Sequence, residues 1–144
     1  MAVEDIIKEL INIFRNDTDL NYIRAVLVGD RPENYSPMFP NITIEPSSNM
    51  TERILEDRRK LNCLKLMIAG AILIDDMEKQ ILGTNTTKGI MDLEKDIKNT
   101  LMKYYPDLNG KCLYFNLSTV SYSLLESGKG RVVFIEGNFY YIED

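Results

Sequence analysis

Leu61-Asn62-Cys63-Leu64-Lys65-Leu66-Met67-Ile68-Ala69-Gly70-Ala71-Ile72-Leu73-Ile74 is the stretch on which the fold turns. Taken with a period of two, Leu64, Leu66, Ile68, Ile72 and Ile74 share one parity and Lys65 falls on the other, the pattern of a long strand with a buried face. So apolar a run also suits a buried helix, and periodicity alone does not separate the two. Gly70 inside a strand marks a bulge or a close backbone approach. The uncharged run Leu66 to Ile74 is far shorter than the roughly 20 residues a membrane-spanning helix needs.

Upstream, Asn41-Ile42-Thr43-Ile44-Glu45 alternates cleanly and predicts a short strand that ends at Pro46. Before it, Arg31 to Pro40 carries Pro32, Pro37 and Pro40 and reads as a loop. Tyr22 to Val28 is rich in β-branched and aromatic residues and predicts a strand stopping at Gly29-Asp30. The first element is a helix: Val3, Ile6, Ile7, Leu10, Ile11 and Phe14 form one stripe, and Glu4 and Asp5 suit its positive end. Residues 47–60 hold only Ile54 and Leu55 as large aliphatic side chains and read as an exposed, mobile loop with at most a frayed helical turn.

Downstream, Asp75-Asp76 closes the long run, and Met77 to Leu82 with Gly83 leads to a second helix. Ile90, Leu93, Ile97, Leu101 and Tyr104 make its stripe, Thr86 or Thr87 its cap, and Glu94–Lys98 a favourable pair. Pro106 and Asn109-Gly110 end it. Cys112 to Leu124 and Arg131 to Ile142 read as two strands joined by Glu126-Ser127-Gly128-Lys129-Gly130, a hairpin; Gly137-Asn138 suggests a further bend. The order is α-β-β-β-α-β-β: an α+β domain spanning residues 1–144, with a mostly antiparallel sheet of four to five strands packed on two helices.

The 144 residues hold 17 Lys and Arg against 22 Asp and Glu, a net charge of −5, which argues against nonspecific attraction to phosphate or anionic lipid. The absence of histidine removes the commonest general base and metal ligand. Cys63 and Cys112 sit in apolar runs and read as small buried hydrophobes; a disulfide between them would need an oxidising compartment. The acidic start Met1-Ala2-Val3-Glu4-Asp5 lacks the basic opening of a secretory signal.

Candidate chemistry is thin. Asp75, Asp76 and Glu78 could offer oxygens to a hard cation, but adjacent acids at a strand end more simply cap the next turn. Gly128-Lys129-Gly130 lacks the spacing of a phosphate loop. Ser118 and Ser121 have no base. No catalytic residue, metal site or cofactor is expected. The strongest polar feature is Arg53, Arg58, Arg59 and Lys60, which suits docking on an acidic protein surface, contact with nucleic acid, or simply a solvated loop, since Glu52, Glu56 and Asp57 alternate with it. Tyr140 and Tyr141 point to opposite faces of a strand, one buried and one exposed, and an exposed tyrosine beside an unpaired strand border suits subunit contact.

The succession of elements resembles the tail terminator, or tail-completion, proteins of tailed phages, small neck components that cap the tail tube. It is carried by the amino-terminal helix, Tyr22 to Gly29, Phe39-Pro40-Asn41-Ile42-Thr43-Ile44-Glu45-Pro46, the polar excursion, the long strand, the helix finishing in Tyr105-Pro106-Asp107-Leu108-Asn109-Gly110, and the two closing strands with Arg131 opening the last. The run Leu66 to Ile74 departs from the family's habit in being more uniformly apolar. The resemblance implies a structural virion protein at the head–tail junction, made in the host cytoplasm, with no active site or cofactor. Its implied partners are copies of itself in a hexameric ring, the tail tube protein and the head–tail connector, with DNA passing through unbound and no membrane involved. Other readings are another head–tail joining or minor tail component, and a non-viral adaptor that binds a partner at its sheet border.

Overall fold

The computed structural model describes residues 2–29, 38–74, 76–125 and 128–143. The decisive stretch is a strand: β3, Lys60–Leu73, lies at the centre of one five-stranded sheet. Around it run α1 (Ala2–Asn16), a 3-10 turn (Thr18–Leu20), β1 (Ala25–Val28), β2 (Asn41–Ile54), α2 (Met77–Leu82), α3 (Ile90–Met102), β4 (Tyr114–Leu124) and β5 (Gly130–Glu143). The sheet order is β1-β2-β3-β5-β4, with β1 parallel to β2 and every other neighbour antiparallel. This is the α+β architecture the sequence predicts, with a third, short helix added.

The β3 parity is as read. Leu64, Leu66, Ile68 and Ile72 are buried with Ile6, Leu10, Ile13 and Phe14 of α1, Leu93, Ile97 and Leu101 of α3, and Val133, Ile135 and Phe139 of β5. Gly70 marks a close approach rather than a bulge. Its pairing with Ile42 and Val133 is regular, and a Cβ there would stand 2.9 Å from Ile97 Cδ1 and Leu93 Cδ2. The missing side chain lets α3 settle onto the sheet.

Several boundaries move. Residues 47–54 do not leave the sheet: β2 runs on through Pro46 to Ile54, paired with β3, so the expected loop at 47–60 shrinks to a turn at 55–59. Two bulges, between Pro46 and Ser48 and between Thr51 and Arg53, absorb the irregular sequence. Pro46 is tolerated because β1 covers β2 only as far as Ile44, leaving a border strand there. The predicted strand at Tyr22 contracts to Ala25–Val28, since Tyr22 instead donates its hydroxyl to Asp96 on α3 at 2.6 Å.

α3 is capped at Gly89, whose N–H donates to Asp92 Oδ2 at 3.2 Å, while the Thr84 hydroxyl accepts from the N–H groups of Thr86 and Thr87. Asp76 caps α2, and the buried Gln80 of that helix donates to the Ile74 carbonyl and accepts from Arg131. Gly137-Asn138 makes no bend; β5 is continuous. The loop expected at Arg31 to Pro37, Asp75, and Glu126-Ser127 lie outside the described residues.

Candidate functional site

The helical layer covers only part of the sheet. Where β2 and β3 run past it, from about Asn49 to Leu61, they and the end of β5 form a projecting arm in which polar groups enter the helix-facing parity, while the outer parity stays largely apolar, as it is in the body around Ala69, Ala71, Val132 and Phe134. On the helix-facing parity the arm is mostly polar, with Ile54 exposed near its tip. Tyr141 donates its hydroxyl to Asn49 Oδ1 at 2.9 Å, Thr51 donates to Asn62 Oδ1 at 2.9 Å, and Asn62 donates to Glu143 Oε2 at 2.6 Å. These groups satisfy one another, so that face needs no helix over it. On the outer parity lie Met50, Leu61, Cys63, Tyr140 and Ile142, and Tyr114 of β4 stacks on Tyr140 with ring centroids 4.4 Å apart.

The sequence-predicted residues distribute over this arm. The turn at its tip closes through Leu55 N–H to the Arg59 carbonyl and Arg58 N–H to the Leu55 carbonyl. Arg58 sits there with a φ of +70°, and Arg59 pairs with Asp57 at 2.7 Å. The backbone N–H of Arg59, and then its guanidinium, hold the Asp57 carboxyl below its ordinary range. Lys60 opens β3 opposite Ile54, and Arg53 faces Leu61 one step away on the other side of the sheet. Arg58, Arg59 and Lys60 therefore share the tip, and Arg53 stands apart.

Tyr140 and Tyr141 do point to opposite faces, with Tyr141 buried and Tyr140 half-buried. Tyr140 does not stand on a border, being paired with Cys63 of β3 and Tyr114 of β4, whereas Tyr141 lies one residue past the last β4 pairing. The border tyrosines are Tyr114 and Tyr122, which the sequence reading passed over.

The borders at β1, β2 and β4 differ in what they offer. On β1, Arg15 Nη2 donates to the Val26 carbonyl at 2.9 Å and occupies that edge. The free run of β2 carries Pro46, two bulges, Glu45, Glu52 and Arg53, all devices that discourage pairing. β4 has one bulge, between Thr119 and Ser121, but over its eleven residues, Tyr114–Leu124, neither a charge nor a proline. Val120, Tyr122 and Leu124 are exposed along it. That absence of charge is legible in the sequence.

α3 is tied to this border by Glu94, which accepts from the hydroxyls of Thr119 and Tyr122, the latter at 2.6 Å, and pairs with Lys98 at 3.8 Å. Burial alone would raise the Glu94 carboxyl, but the two hydroxyls and the Lys98 ammonium outweigh it and hold it below the usual carboxylate range. Beyond Lys98, Met102 and Tyr105 with Phe115 and Leu117 of β4 line an open groove of about 500 Å³.

Of the residues weighed for chemistry, Ser118 and Ser121 are on β4 and Gly128-Lys129 belong to the β4–β5 connection. Among the described residues no three acidic or cysteine side chains gather where they could hold a metal ion. Cys63 and Cys112 are unpaired and buried; burial raises the Cys63 thiol and pushes Cys112 up to about 12. No helix among the described residues is long and apolar enough to cross a membrane. Neither a protein-family model nor a curated protein matches this chain.

Proposed function

We propose that this chain is a non-catalytic structural virion protein that caps a phage tail tube, its copies forming a ring at the head–tail joining interface. The arm is the observation that supports the reading. A hairpin that links polar side chains to one another on one face and carries Met50, Leu61, Tyr140 and Ile142 on the other is a poor ending for a solitary domain and a good one for a subunit. In the ring the arm lies across a neighbouring copy or the tube, and its tip residues Arg58, Arg59 and Lys60 meet acidic surface there. The net charge of −5 suits a channel through which DNA slides, because added phosphate contacts would hold it.

Purified tail tubes incubated with the protein and viewed by electron microscopy test the reading. One ring-shaped cap per tube and arrest of further elongation are expected; tubes that stay bare and continue to grow overturn it. Binding along the tube or to connector rings alone would favour another joining component, and a protein that ignores both would favour an adaptor. The Arg58→Ala/Arg59→Ala double variant is expected to cap tubes more weakly. Capping at the wild-type level removes the docking role of the tip.

A further inference from the structure

β4 is an undefended border with a groove at one end and an apolar knob at the other. The groove, between α3 and the first half of the strand, is lined by Met102, Tyr105, Phe115 and Leu117 with Lys98 at its rim. The knob is Leu124, 49 % exposed, and the register with β5 places it on the helix-facing side with Phe115, Leu117 and Tyr122, the last held by Glu94.

A partner strand carrying charges would have to strip them of water against this uncharged run, and the borders at β1 and β2 are obstructed. The border that suits β4 is therefore another β4. Two copies related by a two-fold axis run antiparallel, and setting Leu117 opposite Tyr122 also sets Phe115 opposite Leu124. Helix-facing residues then meet helix-facing residues on both sides of the bulge at Thr119/Ser121.

We infer that, away from a tail tube, this protein is a two-fold dimer joined along β4, each copy inserting Leu124 into the α3/β4 groove of the other while Tyr122 keeps its hydroxyl on its own Glu94. The pairing joins two five-stranded sheets into one of ten and covers the border most prone to indiscriminate pairing. It concerns the protein before any capping and does not depend on the ring. Val120, 54 % exposed, lies next to the axis in this arrangement.

The test is the native mass of the full chain, followed by mild oxidation of Val120→Cys. Cys63 and Cys112 are buried, so the added thiol is the one that reports. A two-copy mass is expected, with a disulfide-linked dimer from Val120→Cys and none above wild type from Glu45→Cys on β2. Val120→Lys, whose side chain is exposed in the single copy, is expected to halve the mass while leaving the circular dichroism spectrum intact. A single-copy wild-type mass, or Val120→Cys that stays uncrosslinked, overturns the inference. A six-copy ring without the Val120 crosslink would overturn it while leaving the capping proposal standing; bare tubes beside an intact crosslinked dimer would do the reverse.

Discussion

The body and the arm share β2, β3 and β5 and one continuous ladder between β3 and β5, yet their helix-facing sides differ in chemistry. In the body, Ile44, Ile68 and Ile135 stand side by side under α1 and α3 with no exposure. In the arm, the same side of the sheet carries Asn49, Thr51 and Asn62 with Tyr141 and the exposed Ile54. The outer side is apolar in both regions, with Ala69, Ala71, Val132 and Phe134 in the body and Met50, Leu61 and Ile142 in the arm. Polar groups enter the helix-facing parity where the helical layer stops, so a partner proposed for the arm would approach from the side opposite the helices.

The widest separation between the regions is expected in stability. Ile68→Ala empties a fully buried site and is expected to cost about 2–5 kcal/mol in chemical denaturation. Met50→Ala, at a side chain 60 % exposed, is expected to stay within about 0.5 kcal/mol of wild type. Equal losses at the two sites would erase the distinction between body and arm. Gly70→Ala comes next: its methyl group meets Ile97 and Leu93 and is expected to cost about 1–3 kcal/mol through overpacking, read from the melting temperature. A neutral result there would mean that α3 is free to lift from the sheet.

A gain is expected at the arm. Arg58 holds a left-handed backbone that favours glycine, so Arg58→Gly should stabilise the free protein by about 0.5–1 kcal/mol despite the looser unfolded chain.

The smallest effect is pH-dependent and belongs to the tie between α3 and β4. The folded Glu94 carboxyl titrates below its unfolded value, so its contribution is complete above the unfolded carboxylate range and is lost as pH falls through the folded value. The stability difference between wild type and Glu94→Gln should therefore shrink on acidification; a constant difference from neutral to acid pH would show that Thr119, Tyr122 and Lys98 do not favour the charged form.

Much of the body was legible because period and burial agree there. Leu64, Leu66, Ile68 and Ile72 on β3 and Ile90, Leu93, Ile97 and Leu101 on α3 carry their pattern in the residues themselves. The arm was not legible, for the same physical reason. Ser47 to Arg59 has no apolar alternation because none of its side chains is buried, and the bulges beyond Pro46 and Thr51 shift the phase twice. The parallel pairing of β1 also escapes local reading, since it depends on contacts across residues that are distant in sequence. At the candidate surface the sequence drew attention to charge in Arg53, Arg58 and Arg59, whereas the more telling signal on β4 is the lack of it.

The place of β5 in the sheet has a consequence for the newly made chain. It is synthesised after every other described strand but lies between β3 and β4, so the sheet has a gap in its middle until Gly130–Glu143 has left the ribosome. During that interval β4 waits with neither of its sides bonded and with no charge to keep it apart from other nascent chains. Rapid arrival of the last strand is therefore a condition of solubility during biosynthesis.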